Sequence, residues 1–145
     1  MQVKIKLLDS NAIPMTYGTE YSAGADIYSL PGSSIEIKPG ETTLIHTGIA
    51  MEIPEGYVGL IFARSGLATK RGLAPANKVG VIDADYRGEI MVALHNHSDK
   101  VATVEGGERV AQISIVPFLK ADFVISDELS DTVRGEGGFG STGKK

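Results

Sequence analysis

No stretch of this chain sustains an apolar stripe at helical spacing for more than about two turns. Short β-rich runs recur instead between clusters of Gly, Pro, Asn and Asp, and glycine alone supplies 18 of the 145 residues. Turn formers at such short intervals deny a helix the length it needs to bury a face, but they suit antiparallel strands joined by tight connections. The spacing predicts an all-β sandwich or barrel. A chain of this length fits one domain that removes about 68 to 70% of its unfolded surface from water, and no internal repeat or domain boundary divides it.

In order, Val3, Ile5 and Leu7 alternate with Lys4 and Lys6, a strand pattern and not the apolar core of a signal peptide. Further strands are expected over residues 25–30, 34–37, 43–53, 57–63, 101–104, 109–118 and 123–125, with turns near 38–40, 54–56, 96–99 and 106–107. One short helix is expected within residues 63–75, with Ser65 as its N-cap. Residues 77–95 read as a hairpin whose outgoing arm carries Val79, Val81 and Ile82.

Composition removes several functions. The chain has no cysteine, which excludes disulfides, thiolate metal sites and thiol nucleophiles and points to a reducing, cytoplasmic setting. A net charge of -4 argues against a broad nucleic-acid surface, though a few placed arginines and backbone N–H groups can still hold one triphosphate. No apolar run approaches the ~18 residues of a membrane span, so no membrane partner is expected.

Chemistry concentrates in NKVGVIDADYRGE, residues 77–89. Where a hairpin should close, the chain places Asp83, Asp85, Tyr86, Arg87 and Glu89 together. Asp83 is either a turn aspartate or a general base, and Tyr86 a wall of a nucleotide pocket. The tail RGEGGFGSTGKK is either a flexible linker or a lid: glycines that let N–H groups wrap an anion, two hydroxyls, one arginine and one aromatic suit closure over a triphosphate. No Gly-Lys-Ser/Thr follows a strand, so it is not a Walker loop. Taken singly, RSG at 64–66 and GERVAQ at 107–112 are weak signals. His95 and His97 lack a third ligand for zinc, and His46 stands alone as a structural residue.

Read jointly and in order, AGADIYS, RSGLA, GVIDADYRGE, GERVAQ and RGEGGFGSTG resemble the five motifs of the homotrimeric dUTPase family over essentially the whole chain. The resemblance implies a jelly-roll-like β barrel with one short helix, assembled as a threefold trimer. It implies residues 1–133 as the barrel and 134–145 as a flexible lid, with dUTP as substrate. The implied reaction is hydrolysis to dUMP and pyrophosphate, which would keep uracil out of DNA and supply dUMP for dTMP synthesis. Asp83 then matches the catalytic base that activates water for attack on the α-phosphorus. Asn77 and the hairpin backbone match the uracil readers, Val81, Ile82 and Met91 the pocket lining, and Tyr86 the wall that excludes a ribose 2'-hydroxyl. Arg64, Ser65, Gly66 and Gln112 match the phosphate binders. Asp26 matches the aspartate that acts through water near Mg2+, an ion held mainly by the phosphates. Arg134 matches the tail's phosphate clamp, Phe139 the ring stacked on uracil, and Gly140, Ser141 and Thr142 the γ-phosphate cover. Arg109 is expected to be structural, and Asp85, Arg87 and Glu89 to shape the turn and subunit contacts. Each site would draw on three subunits.

Two other functions fit the same scaffold: a dCTP deaminase or bifunctional deaminase and dUTPase, and a nucleotide-binding module without catalysis. Asp83 argues against the second, because an ionised carboxylate beside an anionic ligand brings a pure binder nothing.

Overall fold

The computed structural model describes residues 1–32 and 34–138. Among them lie twelve strands and one short helix, and every strand pair is antiparallel. The longest strand, β12 (Arg109–Pro117), organises the largest sheet. It pairs with β3 (Ala25–Tyr28) on one side and β7 (Tyr57–Phe62) on the other, and β2 (Thr16–Tyr17) and β9 (Gly80–Ile82) extend the sheet to five strands. A bulge between Arg109 and Ala111 turns both Val110 and Ala111 into the core.

A second sheet places β10 (Val92–Asn96) between β5 (Thr42–Ile45) and β8 (Leu73–Pro75). Its alternation is plain: Val92, Leu94 and Asn96 are buried, while Ala93 and His95 turn outward. Asn96 is tolerated inside because its amide is fully engaged. Nδ2 donates to the Ile37 and Lys100 carbonyls at 2.8 and 2.7 Å, and Oδ1 accepts from the Ser98 N–H and hydroxyl. Two ribbons, β1 (Lys4–Leu7) with β6 (Ile49–Glu52) and β4 (Ile35–Ile37) with β11 (Ala102–Val104), close the remaining sides. Ile27, Ile37, Ile45, Leu73, Ile90, Leu94, Val104 and Val110 fill the interior, each contributing about 1.5 to 3 kcal/mol by leaving water. These short sheets around one core form a jelly-roll-like β barrel.

Several expectations are corrected. The strand expected over 43–53 is two strands, β5 and β6, in different sheets. Between them Gly48 adopts φ 69°, and a side chain there would meet Ala12 and Leu30 at 2.9 Å. The helix, α1 (Ser65–Arg71), begins one residue earlier than a Ser65 cap requires: Arg64 occupies the N-cap without a side-chain cap bond, and Ser65 is already helical. Lys70 and Arg71 suit the helix's C-terminal end, Gly72 closes it, and Arg71 bonds Glu108 and the Thr103 carbonyl. Residues 73–75, within the span expected to hold the helix, form β8.

The hairpin is also rearranged. The strands that pair directly are β8 and β10, with Pro75 opposite Leu94 and the Ala76 N–H on the Ala93 carbonyl at 2.8 Å. Residues 77–91 are a long excursion between them, and β9 within it pairs sideways with β7. No strand forms over 123–125: Phe123 and Ile125 are more than nine-tenths exposed, and among the described residues nothing pairs with their backbone.

Candidate active site

The excursion from β8 to β10 encloses a cavity of about 300 Å³. Asn77, Val81, Ile82, Asp83, Tyr86 and Met91 all line it, so six residues singled out in the sequence converge. Sequence reasoning missed Leu44, Ile61, Pro75, Gly80, Val92 and Ala93, which enter from β5, β7, β8, β9 and β10. Their only signal is apolar character on strands whose pairing the sequence does not announce.

The loop after Ile82 turns by its own bonds. The Tyr86 N–H reaches the Asp83 carbonyl at 3.1 Å, and Arg87 Nη1 donates to the Ala84 and Tyr86 carbonyls at 2.6 and 3.0 Å. The Asp83 side chain is exposed, at the edge of the cavity. The Tyr86 phenol donates to the Glu89 carbonyl at 2.9 Å, and its ring lies so close over Gly88 that any side chain there would collide with it.

Glu89 anchors the loop's far end. Its Oε1 accepts the Thr47 and Gly48 N–H groups at 3.1 and 2.8 Å, and its Oε2 meets His46 Nδ1 at 2.9 Å. His46 therefore does not stand alone. Burial pushes the Glu89 carboxyl up. The His46 hydrogen bond, the Gly48 N–H, the His46 charge and the Thr47 N–H outweigh this and hold it below its ordinary value.

A carboxyl depressed by folding adds stability above its unfolded pKa of about 4.3, and that stability is lost as pH falls through the lower folded value. The melting-temperature advantage of wild type over Glu89→Gln should therefore be full near about pH 7 and shrink on acidification below about pH 4. Thermal melts across pH read this directly; a pH-independent difference would contradict it.

A second cluster forms around Asp26, buried on β3. Arg64 Nε donates to its Oδ1 at 2.9 Å, Arg109 Nη1 to its Oδ2 at 3.3 Å, and Gln112 Nε2 to Oδ1 at 3.4 Å. Register makes this possible, since Gln112 lies opposite Asp26 on one side and Phe62, two residues before Arg64, on the other. A guanidinium has five N–H donors, so the Nε bond aims Arg64 while leaving its terminal nitrogens for a ligand. Ser65 and Gly66 are exposed at the start of α1. None of Asp26, Arg64, Ser65, Gly66 or Gln112 lines the cavity.

Arg134 Nε donates to the Gly137 carbonyl at 2.8 Å within the exposed segment that follows β12. Phe139, Gly140, Ser141 and Thr142 lie outside the described residues. Among those described, no three His, Asp or Glu side chains gather to hold a metal. Both Asp26 oxygens already face cationic or amide donors, so the donor set fits only an ion that arrives with its own phosphate and water ligands. His95 Nδ1 pairs with the Thr42 hydroxyl at 3.0 Å. No helix among the described residues is long and apolar enough to cross a membrane.

A family profile described as dUTPase matches residues 10–143. The chain is 49% identical to the deoxyuridine 5'-triphosphate nucleotidohydrolase of Nautilia profundicola, over 99% of this chain and 100% of the relative. It is 48% identical to the protein of that name from Hydrogenobaculum, over 100% of both. Among solved structures it resembles a variant dUTPase of Staphylococcus bacteriophage 80alpha with dUpNHpp, at TM-score 0.89 and 32% identity over 98% of each chain. It also resembles a variant dUTPase of the S. aureus phage phi11 whose structure reveals details of the coordination of a structural Mg(II) ion, at TM-score 0.78 and 28% identity, over 88% of this chain and 98% of that one.

Proposed function

The chain belongs to the dUTPase family and is a dUTP diphosphatase, and on that premise we propose how its residues divide the hydrolysis of dUTP. The observation that supports this division is the cavity lined together by the Asn77 amide, the Tyr86 ring and the exposed Asp83 carboxylate. Asn77 and the β9 backbone read the polar edge of uracil, while Val81, Ile82 and Met91 hold its faces. Tyr86 packs against deoxyribose and leaves no room for a 2'-hydroxyl. Asp83 accepts the proton of the water that attacks the α-phosphorus, and pyrophosphate leaves. Arg64, Ser65, Gly66 and Gln112 hold the phosphates, oriented from behind by Asp26 and Arg109. Asp26 would act through water on a Mg2+ ion held mainly by the substrate phosphates, and that ion would supply charge neutralisation.

None of the phosphate-binding candidates lines the cavity of its own chain, which supports a site completed by neighbouring copies in a homotrimer. Exposed apolar side chains support it too: Ile5, Leu7 and Leu8 near the N-terminus, and Leu119, Phe123, Val124, Ile125 and Leu129 beyond β12. Residues 134–145 would then close over dUTP as a lid on the barrel of residues 1–133, with Arg134 on phosphate, Phe139 on uracil and residues 140–142 on the γ-phosphate. The absence of cysteine supports a cytoplasmic setting.

Pyrophosphate release measured with magnesium across dUTP, UTP, dTTP and dCTP tests this reading. dUTP should be preferred over dTTP by about 100-fold or more through sterics, and over dCTP by about 10⁴-fold through mismatched donors and acceptors. Ammonia release from dCTP would assign a deaminase instead.

A further inference from the structure

We propose that Gly88 is a positioning residue for the sugar wall: the space left by its missing side chain is where the Tyr86 ring rests, and the enzyme's preference for deoxyribose depends on that space staying empty. The inference rests on Tyr86 being the deoxyribose wall. The Tyr86 phenol donates to the Glu89 carbonyl at 2.9 Å, so the ring folds back across residue 88 to reach it. A Cβ built at Gly88 would overlap the phenol oxygen and stand 2.6 Å from Cζ and 3.0 Å from Cε2. Carbon atoms at rest against one another keep about 3.5 to 4.0 Å.

The backbone does not ask for glycine here. Gly48 and Gly72 adopt φ of 69° and 68°, the left-handed region that favours glycine, whereas φ at Gly88 lies outside that region. Glycine loses more conformational freedom on folding than any other residue, so one without a backbone reason is a cost to the fold. The ring supplies the reason: apart from the two chain neighbours, the three atoms nearest to the built Cβ all belong to Tyr86. What would move for a methyl group at residue 88 is therefore the far end of a half-exposed side chain, and not the barrel. Tyr86 and Glu89 line the cavity and Gly88 does not, so the methyl would act on the ring from outside the site. A ring lifted from this place gives up the bond to the Glu89 carbonyl and no longer meets the sugar at a fixed distance. A steric filter against one hydroxyl loses force when its wall is displaced by about an ångström.

The test is a double-mutant cycle on the ratio of kcat/KM for dUTP to that for UTP, measured with the full-length enzyme in Gly88→Ala, Tyr86→Ala and the two combined. Gly88→Ala should lower the ratio by about tenfold. In the Tyr86→Ala background the same substitution should leave the ratio where Tyr86→Ala alone puts it, because the methyl no longer has a ring to meet. Equal losses from Gly88→Ala with and without the ring would place the glycine's role in the backbone and overturn the inference. An unchanged ratio in Gly88→Ala, alongside a lowered one in Tyr86→Ala, would overturn the role of Gly88 alone. An unchanged ratio in Tyr86→Ala would overturn the sugar wall and the inference with it. Should Gly88→Ala fail to fold, the ratio is read in Gly88→Ala combined with Tyr86→Phe, which lacks the oxygen nearest the methyl, against Tyr86→Phe alone. It should fall in the same direction, and no fall there would overturn the inference.

Discussion

Asp83→Asn should bind dUTP as wild type does and turn it over about 10² to 10⁴ times more slowly. The amide has the shape of the carboxylate but cannot take a proton from water. The loop's architecture does not depend on what is lost, because the bond that shapes it uses the Asp83 backbone carbonyl and the side chain stands exposed. Binding should survive for an electrostatic reason as well, since removing a negative charge beside a triphosphate takes away repulsion and no attraction. Single-turnover rates combined with calorimetric titration of a non-hydrolysable dUTP analogue separate the two quantities. Wild-type turnover in this variant would remove Asp83 as the base.

A chain ending at residue 133 should fold and assemble like the full-length protein and lose about 100-fold or more in turnover. Among the described residues, the last core side chain in sequence is Ile113 and regular structure stops at Pro117. Among the described residues, the cut therefore removes no buried apolar group and no strand pairing. It removes Arg134 together with residues 139–142, and so every group expected to close over the phosphates and the base. Melting temperature and mass by light scattering report the fold and assembly, and initial rates report the loss. A change of oligomeric mass would make the tail a structural element instead.

What could be read from the sequence was what depends on near neighbours. The alternation of β10 and the apolar run of β12 carry their own period, and both strands were legible. The break between β5 and β6 was not, because Glu89, more than forty residues away, holds the N–H groups of Thr47 and Gly48. The same distance hid the partnership of His46 with Glu89, each of which looks inert alone. β8 was concealed by its place at the end of the expected helical span. The true partner of β9 is β7, which no local pattern announces. A strand over 123–125 was expected from β-prone residues, but such residues form a strand only against a second edge. Asn77, Val81, Ile82, Asp83, Tyr86 and Met91 were legible through the joined motifs; that Asp26 accepts from three side chains brought in by other elements was not.

The Asp26 carboxylate has a consequence for how this enzyme can vary. One buried acceptor serves donors contributed by β12 and by the residue preceding α1, so the first, second and fourth motifs share a single electrostatic account. A buried anion left with fewer partners is costly, and so is a guanidinium left without its acceptor. Substitutions among Asp26, Arg64, Arg109 and Gln112 are therefore strongly epistatic, and a change tolerated in one sequence background is damaging in another. On the proposed division of roles, the phosphate grip is inherited as one unit.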